Sequence, residues 1–406
     1  MTDRIATRVP PLAVNVGGLT VPHCPGARLT VQVHERSDPA MTPENLKPLT
    51  SMRFLAAFWV VMFHYWPKLD LGAATGWTPG IVAQGYLGVE LFFVLSGFIL
   101  CHVYLEAAGT GGFKYGSFLW ARLARVYPLH LATLVGVGLL GAAAAIVGIS
   151  IDDSILSWAS LPANLTLTQA WGLAPEAAWN HPSWSISAEW FAYLCFPVFA
   201  WAAWRLRQRP GLALVLATVG LMATYAVFEA LAGFPLTQAT IHWGALRIVP
   251  CFAYGCAAYL AWRAGGLKRP GAMALVTTGL ILVCAALQVW DGVTVALFGV
   301  LILALAGLSG RGGVLESRSG VWLGEVSYAV YMVCVPWKLV AINGLARLNG
   351  GSEHLPWWMW VPAVLAIVPL AGLAHHLIER PARTAMRRWA ERRASKGRSQ
   401  IQPAAT

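Results

Sequence analysis

Apolar runs of about the length of a lipid bilayer recur along this chain from residue 53 onward, with short polar loops between them. Each run has roughly the 17–25 residues that a membrane-spanning helix needs. The runs lie at 53–70, 85–106, 127–149, 185–204, 211–232, 244–262, 271–290, 292–309, 323–345 and 357–378. This pattern predicts an all-α, polytopic integral membrane protein with about ten transmembrane helices. An even number of spans would place both termini on the same side.

Lysine and arginine fall almost entirely into alternate loops. If the N-terminus is cytoplasmic, all but four of the 29 lie in cytoplasmic segments; the exceptions are Lys68, Arg247, Lys338 and Arg347. Such an excess is typical of cytoplasmic loops in membrane proteins. We therefore predict that the N- and C-termini are cytoplasmic. The net charge of +11 is then a signal for topology, and no nucleic acid is expected as a partner.

Composition excludes a soluble globular protein, because 57% of the residues are hydrophobic and only 12% are charged. Residues 1–48 are polar and contain several prolines, so we predict a flexible cytoplasmic N-terminal segment, in which Met41 is a second possible start. Residues 49–383 form the predicted membrane domain. Residues 384–406 are a basic cytoplasmic tail, expected to lie against anionic lipid. The seven cysteines show no CxxC spacing, which predicts neither a disulfide framework nor a metal site.

The first apolar run combines an arginine at its start with a histidine deep inside it. Arg53 and His64 are eleven residues apart, so on a helix they share one face and lie about 16 Å apart along the axis. An ionisable residue inside a spanning helix is costly and indicates function. The alternative is a structural histidine bonded to a neighbouring carbonyl group.

Two carboxylates are predicted to lie at a similar depth to this histidine. Glu90 and Glu189 each follow the start of a run that enters from the outer side, so both are expected in the outer half of the membrane with His64. A carboxylate beside an imidazole can orient it and raise its basicity, as a general base requires. Alternatively, the two glutamates only brace helices.

A pair of arginines lies at the cytoplasmic end of the third run. Arg122 and Arg125 are three residues apart and therefore share a helix face. Together with Arg53 they would form a cationic site suited to phosphate groups. The alternative is that they serve only as topological charge. Residues that could supply counter-charges in this layer are His102, Glu325 and Glu379.

Six segments together resemble the acyltransferase 3 family of integral membrane O-acyltransferases. They occur in the family's order and cover about residues 47–383. They are Leu49 to Ala57 with His64, Gly85 to Phe98, Arg122 to Pro128, Trp184 to Trp190, Ser327 to Tyr331, and Leu377 to Arg383. Each segment alone is a weak signal, and the six in register are a strong one. The resemblance implies that residues 49–383 form a membrane acyltransferase domain.

The resemblance also implies an activity and a set of site residues. The reaction would move an acyl group, with acetyl expected, from cytoplasmic acyl-CoA to a hydroxyl of a carbohydrate or glycoconjugate. Acyl-CoA is then a co-substrate, with no bound cofactor, and the site lies in a bacterial cytoplasmic membrane. By motif position, His64 is the catalytic residue and Glu90 its expected partner. Arg53, Arg122 and Arg125 belong to the donor side, and the supporting residues are Ser187, Glu189 and Tyr331.

The chain departs from the family's pattern after Tyr331. Many members have a histidine before the following proline, whereas this chain has Cys334 before Pro336. Any function that depends on that histidine is therefore absent from this chain, or Cys334 or Lys338 performs it. The sequence also lacks an extracytoplasmic hydrolase-like domain after the last run, so the membrane-only form of the family is expected.

The residues are consistent with proton abstraction by His64, oriented by Glu90, while the donor phosphates bind the inner arginines. Direct transfer and a transient acyl-histidine both remain open. The main rival hypothesis is a transporter of a small molecule or lipid-linked sugar, because buried charges and many spans fit one equally well. A non-catalytic lipid-binding scaffold is a third. The acceptor could be a polysaccharide sugar, peptidoglycan, a glycolipid or a macrolide sugar.

Overall fold

The structure is a computed structural model and describes residues 46–148 and 155–399. Most of the predicted N-terminal segment 1–48 and the end of the predicted tail 384–406 lie outside the described residues. The protein is all-α, as predicted, and 80% helical. The only extended pairing in the described part is a single bridge between Leu69 and Leu355, which joins the loops that follow two long helices.

The described helices are numbered in chain order. The first eight are α1 (Lys47–Tyr65), α2 (Asp70–Thr75), α3 (Gly80–Ala83), α4 (Gly88–Gly109), α5 (Tyr115–Ile146), α6 (Leu161–Leu165), α7 (Trp184–Leu194) and α8 (Phe196–Leu206). The others are α9 (Pro210–Ala232), α10 (Gly244–Arg263), α11 (Pro270–Ala286), α12 (Asp291–Ala306), α13 (Arg318–Leu348), α14 (Trp357–Leu365), α15 (Ile367–Ala374) and α16 (Arg380–Ser399). A π-helical turn, His375–Glu379, joins the last two.

Within the described residues, six helical segments are long and apolar enough to cross a membrane. They are Gly80–Gly109, Tyr115–Ile146, Pro210–Ala232, Gly244–Arg263, Arg318–Leu348 and Trp357–Arg393. The pair α7 and α8, bent by 58°, could form a seventh span. The helices α11 and α12 are apolar but shorter, and α1 carries Lys47 and Arg53. The count of about ten spans and the positions of the termini therefore stay predictions.

Prolines explain where the helices depart from the predicted runs. The first helix was expected over 53–70, but α1 ends at Tyr65 and a 3₁₀ turn containing Pro67 follows it. His64 thus lies in the last turn of α1 rather than deep inside a span. The run 185–204 breaks at Cys195, just before Pro197 in the first turn of α8. A proline lacks the amide hydrogen that a continuous helix needs and disfavours helical geometry before it.

The centre of the fold is the packing of α4 against α10. The two helices run parallel and approach closely at Gly97 and Gly255, where a Cβ would overlap the backbone of the opposite helix. Small residues allow such close contact between membrane helices. This parallel arrangement agrees with the predicted order, in which both helices are even-numbered spans.

A second close pair is α1 with α13, and it fixes the position of the predicted catalytic helix. The Tyr65 hydroxyl donates to the carbonyl of Cys334 at 2.9 Å, and Trp360 Nε1 donates to the carbonyl of Tyr65 at 2.8 Å. We call the end of the bundle near Tyr65 the outer end and the end near Lys47 the inner end, following the predicted topology. The last turn of α1 is thus held by two helices from the C-terminal part of the chain.

Candidate functional site

A cavity of about 740 Å³ opens at the outer end of the bundle, and we call it the outer cavity. Its walls combine two imidazoles, several amides and hydroxyls, acidic groups and aromatic rings. The polar and aromatic lining side chains are Phe63, His64, Gln84, Tyr86, His181, Trp184, Glu229, Thr237, Gln238, Thr240, Arg247, Gln288, Trp290, Asp291 and Tyr331. A concave site with convergent polar groups on apolar walls is the usual form of a small-molecule site.

His64 is half-buried and faces the outer cavity. Its ring lies edge-on to Phe63, with 5.2 Å between the centroids. No hydrogen bond joins its ring nitrogens to another side chain or carbonyl within the described chain, so the expected alternative of a histidine bonded to a neighbouring carbonyl does not hold here. Lys338 and His181 lie within electrostatic range of it. The imidazole is therefore available to a molecule in the cavity.

Glu90 is completely buried and bonds to Arg247, not to His64. Both carboxylate oxygens meet the guanidinium, with 2.9 Å between Arg247 Nη2 and Glu90 Oε2. The remaining Nη1 of Arg247 donates to the carbonyl of Ala239 at 2.7 Å. The prediction that Glu90 orients His64 is therefore wrong, because its lone pairs are used by a cation from α10.

This ion pair also holds an aromatic wall of the cavity in place. The guanidinium carbon of Arg247 lies 4.6 Å from the centre of the Trp184 ring, a cation–π contact in a buried site. Trp184 is the first residue of α7 and opens the segment Trp184 to Trp190. Since Arg247 is only 2% exposed and Glu90 0%, the three side chains form one connected, buried unit, from which Arg247 and Trp184 reach the cavity wall.

An acidic group also lines the cavity, at the start of α12. The Asp291 carboxylate accepts hydrogen bonds from the hydroxyls of Tyr86, at 3.0 Å, and Thr237. Nearby, Trp290 Nε1 donates to Glu229 Oε2 at 2.9 Å. Asp291 separates two helices in the sequence, and here it also joins three parts of the chain around the cavity.

The supporting residues predicted in α7 and α13 connect the cavity to the loop before α7. Tyr331 donates to the carbonyl of Pro182 at 2.8 Å and accepts from the Ser185 hydroxyl at 2.9 Å. The Ser187 hydroxyl accepts from the amide of Ala170 at 3.0 Å. Tyr331 faces the cavity directly, while Ser187 is fully buried behind it. Tyr331 can therefore contact a molecule in the cavity, whereas Ser187 can only support the surrounding structure.

Glu189 lies further inward than the sequence predicted. It accepts from the Ser96 hydroxyl at 2.9 Å, and Ser96 is six residues, about 9 Å, further along α4 than Glu90. Glu189 is within electrostatic range of Arg53. The expected outer layer of His64, Glu90 and Glu189 is therefore wrong, because α7 begins inside the protein after a folded loop rather than at the membrane surface.

The predicted donor arginines converge at the inner end, where we define the inner cluster as Arg53, Arg122, Arg125, Arg383, Glu189 and Glu379. Arg53 lies within electrostatic range of Arg125, Glu189 and Glu379. Glu379 belongs to the π-helical turn, accepts a hydrogen bond from His375 Nδ1 at 2.9 Å, and lies 4.0 Å from Arg383. Four cations face two carboxylates, so the inner cluster carries a net positive charge.

Arg122, a member of the inner cluster, packs against two tyrosines. Its guanidinium carbon lies 5.7 Å from the Tyr104 ring and 6.0 Å from the Tyr193 ring, and Nη2 donates to the Tyr104 hydroxyl at 3.4 Å. Its Nε is buried and has no hydrogen-bond partner among the described residues. A buried donor without a partner is rare in folded proteins and needs an explanation.

Comparison with known proteins gives a family for this architecture. A family model described as an acyltransferase domain matches residues 48–376. The chain belongs to the acyltransferase 3 family. It is therefore an acyltransferase, and the transporter and scaffold hypotheses give way to an enzyme.

The acyltransferase also resembles individual known proteins, at 25–38% sequence identity. It is 29% identical to a protein named acyltransferase MdmB from Streptomyces mycarofaciens, over 83% of this chain and 91% of that one. It is 25% identical to nodulation protein 10 of Rhizobium leguminosarum bv. viciae, over 82% and 91%. A further relative, protein 2 in the picA locus of Rhizobium radiobacter, is 38% identical over 23% of this chain and 44% of its own. No solved structure matches the chain.

The residue that replaces the expected histidine of this acyltransferase is not at the cavity wall. Cys334 is 1% exposed and is absent from the described lining of the outer cavity. Lys338, one helical turn further along α13, is half-buried and acts electrostatically on His64. Of the two predicted substitutes, Lys338 is therefore the one near the imidazole.

Most of the polar side chains of the outer cavity were not assigned to the site by the sequence analysis, and among them are Arg247, His181 and Asp291. A usable signal existed for Arg247, because it is one of four cations that break the charge alternation. His181 precedes the Trp184 segment by three residues in a loop, which no periodic pattern marks.

The possible counter-charges of the inner layer lie in different places. Glu379 belongs to the inner cluster, whereas the His102 ring packs 5.4 Å from that of Trp262. Glu325 is exposed and lies within electrostatic range of Arg383.

Proposed function

We propose that this acyltransferase moves an acyl group, with acetyl expected, from cytoplasmic acyl-CoA to a hydroxyl of a carbohydrate or glycoconjugate, with His64 as general base. The observation that carries the proposal is the geometry of α1. One end of this helix places Arg53 in the cationic inner cluster, and the other places an unbonded imidazole in the outer cavity. The proposed setting is a bacterial cytoplasmic membrane.

The donor would bind at the inner end. Planar guanidinium groups recognise phosphate oxygens through paired hydrogen bonds, and Arg53, Arg122 and Arg125 are the candidates. The unsatisfied Nε of Arg122 supports this role, because a phosphate oxygen would supply its missing acceptor. The long arm of the donor would then extend along α1 toward His64, about 16 Å away by the rise of the helix.

The acceptor would occupy the outer cavity. Aromatic side chains such as Trp184 and Tyr86 offer flat apolar faces, while Gln238, Thr240 and Glu229 offer hydrogen bonds around them. This mixture suits a ring that carries several hydroxyl groups. The volume of about 740 Å³ is within the range of sites for small organic ligands.

In the proposed reaction, His64 accepts the proton of the acceptor hydroxyl as the oxygen attacks the thioester carbonyl. The tetrahedral intermediate then collapses, the carbon–sulfur bond breaks, and the thiolate of CoA takes the proton from the imidazolium. The products are an ester and free CoA. Direct transfer and an acyl-histidine intermediate both give this balance. His181 lies on the same wall and is the candidate for a hydrogen bond to the developing oxyanion.

The test is release of CoA thiol by purified protein in nanodiscs, with acetyl-CoA and a panel of neutral, amino and uronic sugars as methyl glycosides. His64→Ala is expected to lower the turnover rate by about 10²- to 10⁴-fold, which is the usual contribution of a general base. The matched control is His242→Ala, which removes an exposed imidazole outside the cavity lining and should keep wild-type turnover.

Thermal melting of each variant shows whether it is folded. Full activity of a folded His64→Ala variant would overturn the role of His64. A wild-type protein that releases no CoA thiol and binds no acetyl-CoA would overturn the choice of donor.

A further inference from the structure

A second cavity, of about 860 Å³, lies beside the outer end of the bundle between α5 and α13. We call it the lateral groove. Its walls are mostly aliphatic, with Val137, Leu140 and Ala144 from α5 facing Leu339 and Ile342 from α13. An apolar groove of this kind matches a hydrocarbon chain better than a sugar.

The walls of the lateral groove are mostly apolar, but the charged side chains among them are mainly cations. Lys68, Lys338 and Arg347 line it together with a single acid, Glu353. These three cations are three of the four in the whole chain that break the charge alternation of the loops. The fourth, Arg247, lines the outer cavity. Every exception to the topological rule therefore lies at a cavity, which gives these charges a purpose other than orientation.

Of these three cations, only Lys68 forms a salt bridge within the part of the chain that the structure describes. Lys68 forms this salt bridge with Glu353, and the bond lowers the pKa of the Glu353 carboxyl. Lys338 is half-buried, and no carboxylate lies within salt-bridge distance of it among the described residues. Burying a charge is costly unless a partner compensates it. An anion in the groove would provide that partner.

Lys338 lines the lateral groove and lies within electrostatic range of His64, which lines the outer cavity. It is one helical turn beyond Cys334, whose carbonyl is bonded to Tyr65, the neighbour of His64 in the chain. A molecule held at Lys338 would therefore have its polar end near the reactive imidazole and its tail between α5 and α13.

We propose that the lateral groove binds a lipid phosphate, and that the acceptor is a glycan attached to a lipid through such a phosphate. The phosphate would lie at Lys338 and Arg347, and the hydrocarbon chain would lie along α5. The role of this lipid as the acceptor's anchor rests on the proposed function, whereas binding of the lipid phosphate does not.

Binding is tested with dodecyl phosphate added to the full-length protein in dodecyl maltoside, counted by native mass spectrometry. Dodecyl maltoside has the same hydrocarbon chain without the phosphate, and inorganic phosphate is the anion without the hydrocarbon chain. The wild type is expected to bind one dodecyl phosphate saturably. Lys338→Gln with Arg347→Gln should weaken it about 10- to 30-fold, since each basic residue near a lipid surface contributes a few-fold in affinity.

Lys268→Gln with Arg269→Gln is the matched control, because it removes the same charges from an exposed loop at the other end of the bundle. It should keep the wild-type affinity. Arg347→Gln alone removes only an exposed side chain, so it remains informative if the double variant does not fold. Equal binding by the wild type and both groove variants would overturn the site. If inorganic phosphate competes for the groove as well as dodecyl phosphate does, the inference that the ligand is a lipid would be overturned.

The role as anchor is tested separately with a dodecyl-phosphate-linked sugar and its methyl glycoside. The groove variants should raise KM for the lipid-linked sugar more than for the glycoside. An equal change for both would overturn the anchor and leave the acyltransfer proposal intact. Saturable binding without acylation of either sugar would instead contradict the proposed function and leave the lipid site intact.

Discussion

Removal of Arg247 should destabilise the protein more than removal of any exposed arginine. The Arg247→Met variant leaves the Glu90 carboxylate buried without its partner, at 0% exposure. Breaking a buried ion pair from one side costs about 3–5 kcal/mol in the free energy of unfolding. Lost contacts with Trp184 and the carbonyl of Ala239 add to this cost.

The same two helices provide a matched control. Arg263 on α10 and Glu106 on α4 form a second ion pair at 2.9 Å, but these side chains are 45% and 62% exposed. An exposed pair contributes about 0–1 kcal/mol. Arg263→Met should therefore change the free energy of unfolding by about 1 kcal/mol or less, although the residue types and the helices are the same.

A double variant separates the ion pair from the other contacts. Glu90→Leu with Arg247→Met removes both charges, so the penalty of an unpaired carboxylate disappears. The double variant should be more stable than Arg247→Met alone by about 3 kcal/mol, as expected when apolar residues replace a whole buried pair. The measurement is unfolding by SDS in mixed micelles, followed by tryptophan fluorescence. A double variant less stable than Arg247→Met would refute the reasoning.

Three further substitutions test the helix contact and the two ends of the site. Gly255→Ala should destabilise the protein by about 1–3 kcal/mol, because its Cβ would overlap the α4 backbone. In the control variant Gly279→Ala the new Cβ meets nothing within 4 Å, so this variant should have unchanged or slightly higher stability. Thermal melting compares the two variants. Arg125→Ala should raise KM for acetyl-CoA about tenfold or more with little change in the acceptor KM, whereas exposed Arg209→Ala should change neither in CoA-release kinetics. His181→Asn should lower kcat about 10-fold or more if the imidazole meets the oxyanion, and an unchanged kcat would exclude that role.

The sequence predicted the helical fold, and the grouping of some candidate residues on single helices, through local signals. The eleven-residue spacing of Arg53 and His64 is a property of one helix, and the structure keeps it within α1. Arg122 and Arg125 share α5 for the same reason. The two helices expected between 271 and 309 are separate, as the short polar break predicted. The assignment of catalytic roles to these residues stays a prediction.

The partners of the glutamates could not be predicted in the same way. Glu90 and Arg247 are 157 residues apart, and no helical period connects positions at that distance. The depth of Glu189 was misjudged because hydropathy locates an apolar run but does not show that α7 begins inside the protein. The π-helical turn that presents Glu379 is equally invisible to a pattern of period 3.6.

The bond between Glu90 and Arg247 has a consequence for biogenesis. During synthesis, 157 residues separate the appearance of the carboxylate from that of its partner. At about 5–20 residues per second this is a delay of about 8 to 30 s. Throughout that time the carboxyl group of α4 has no Arg247 to pair with, and an unpaired ionisable group inside a spanning helix is costly. The order of synthesis thus leaves the growing chain without its central ion pair until α10 emerges.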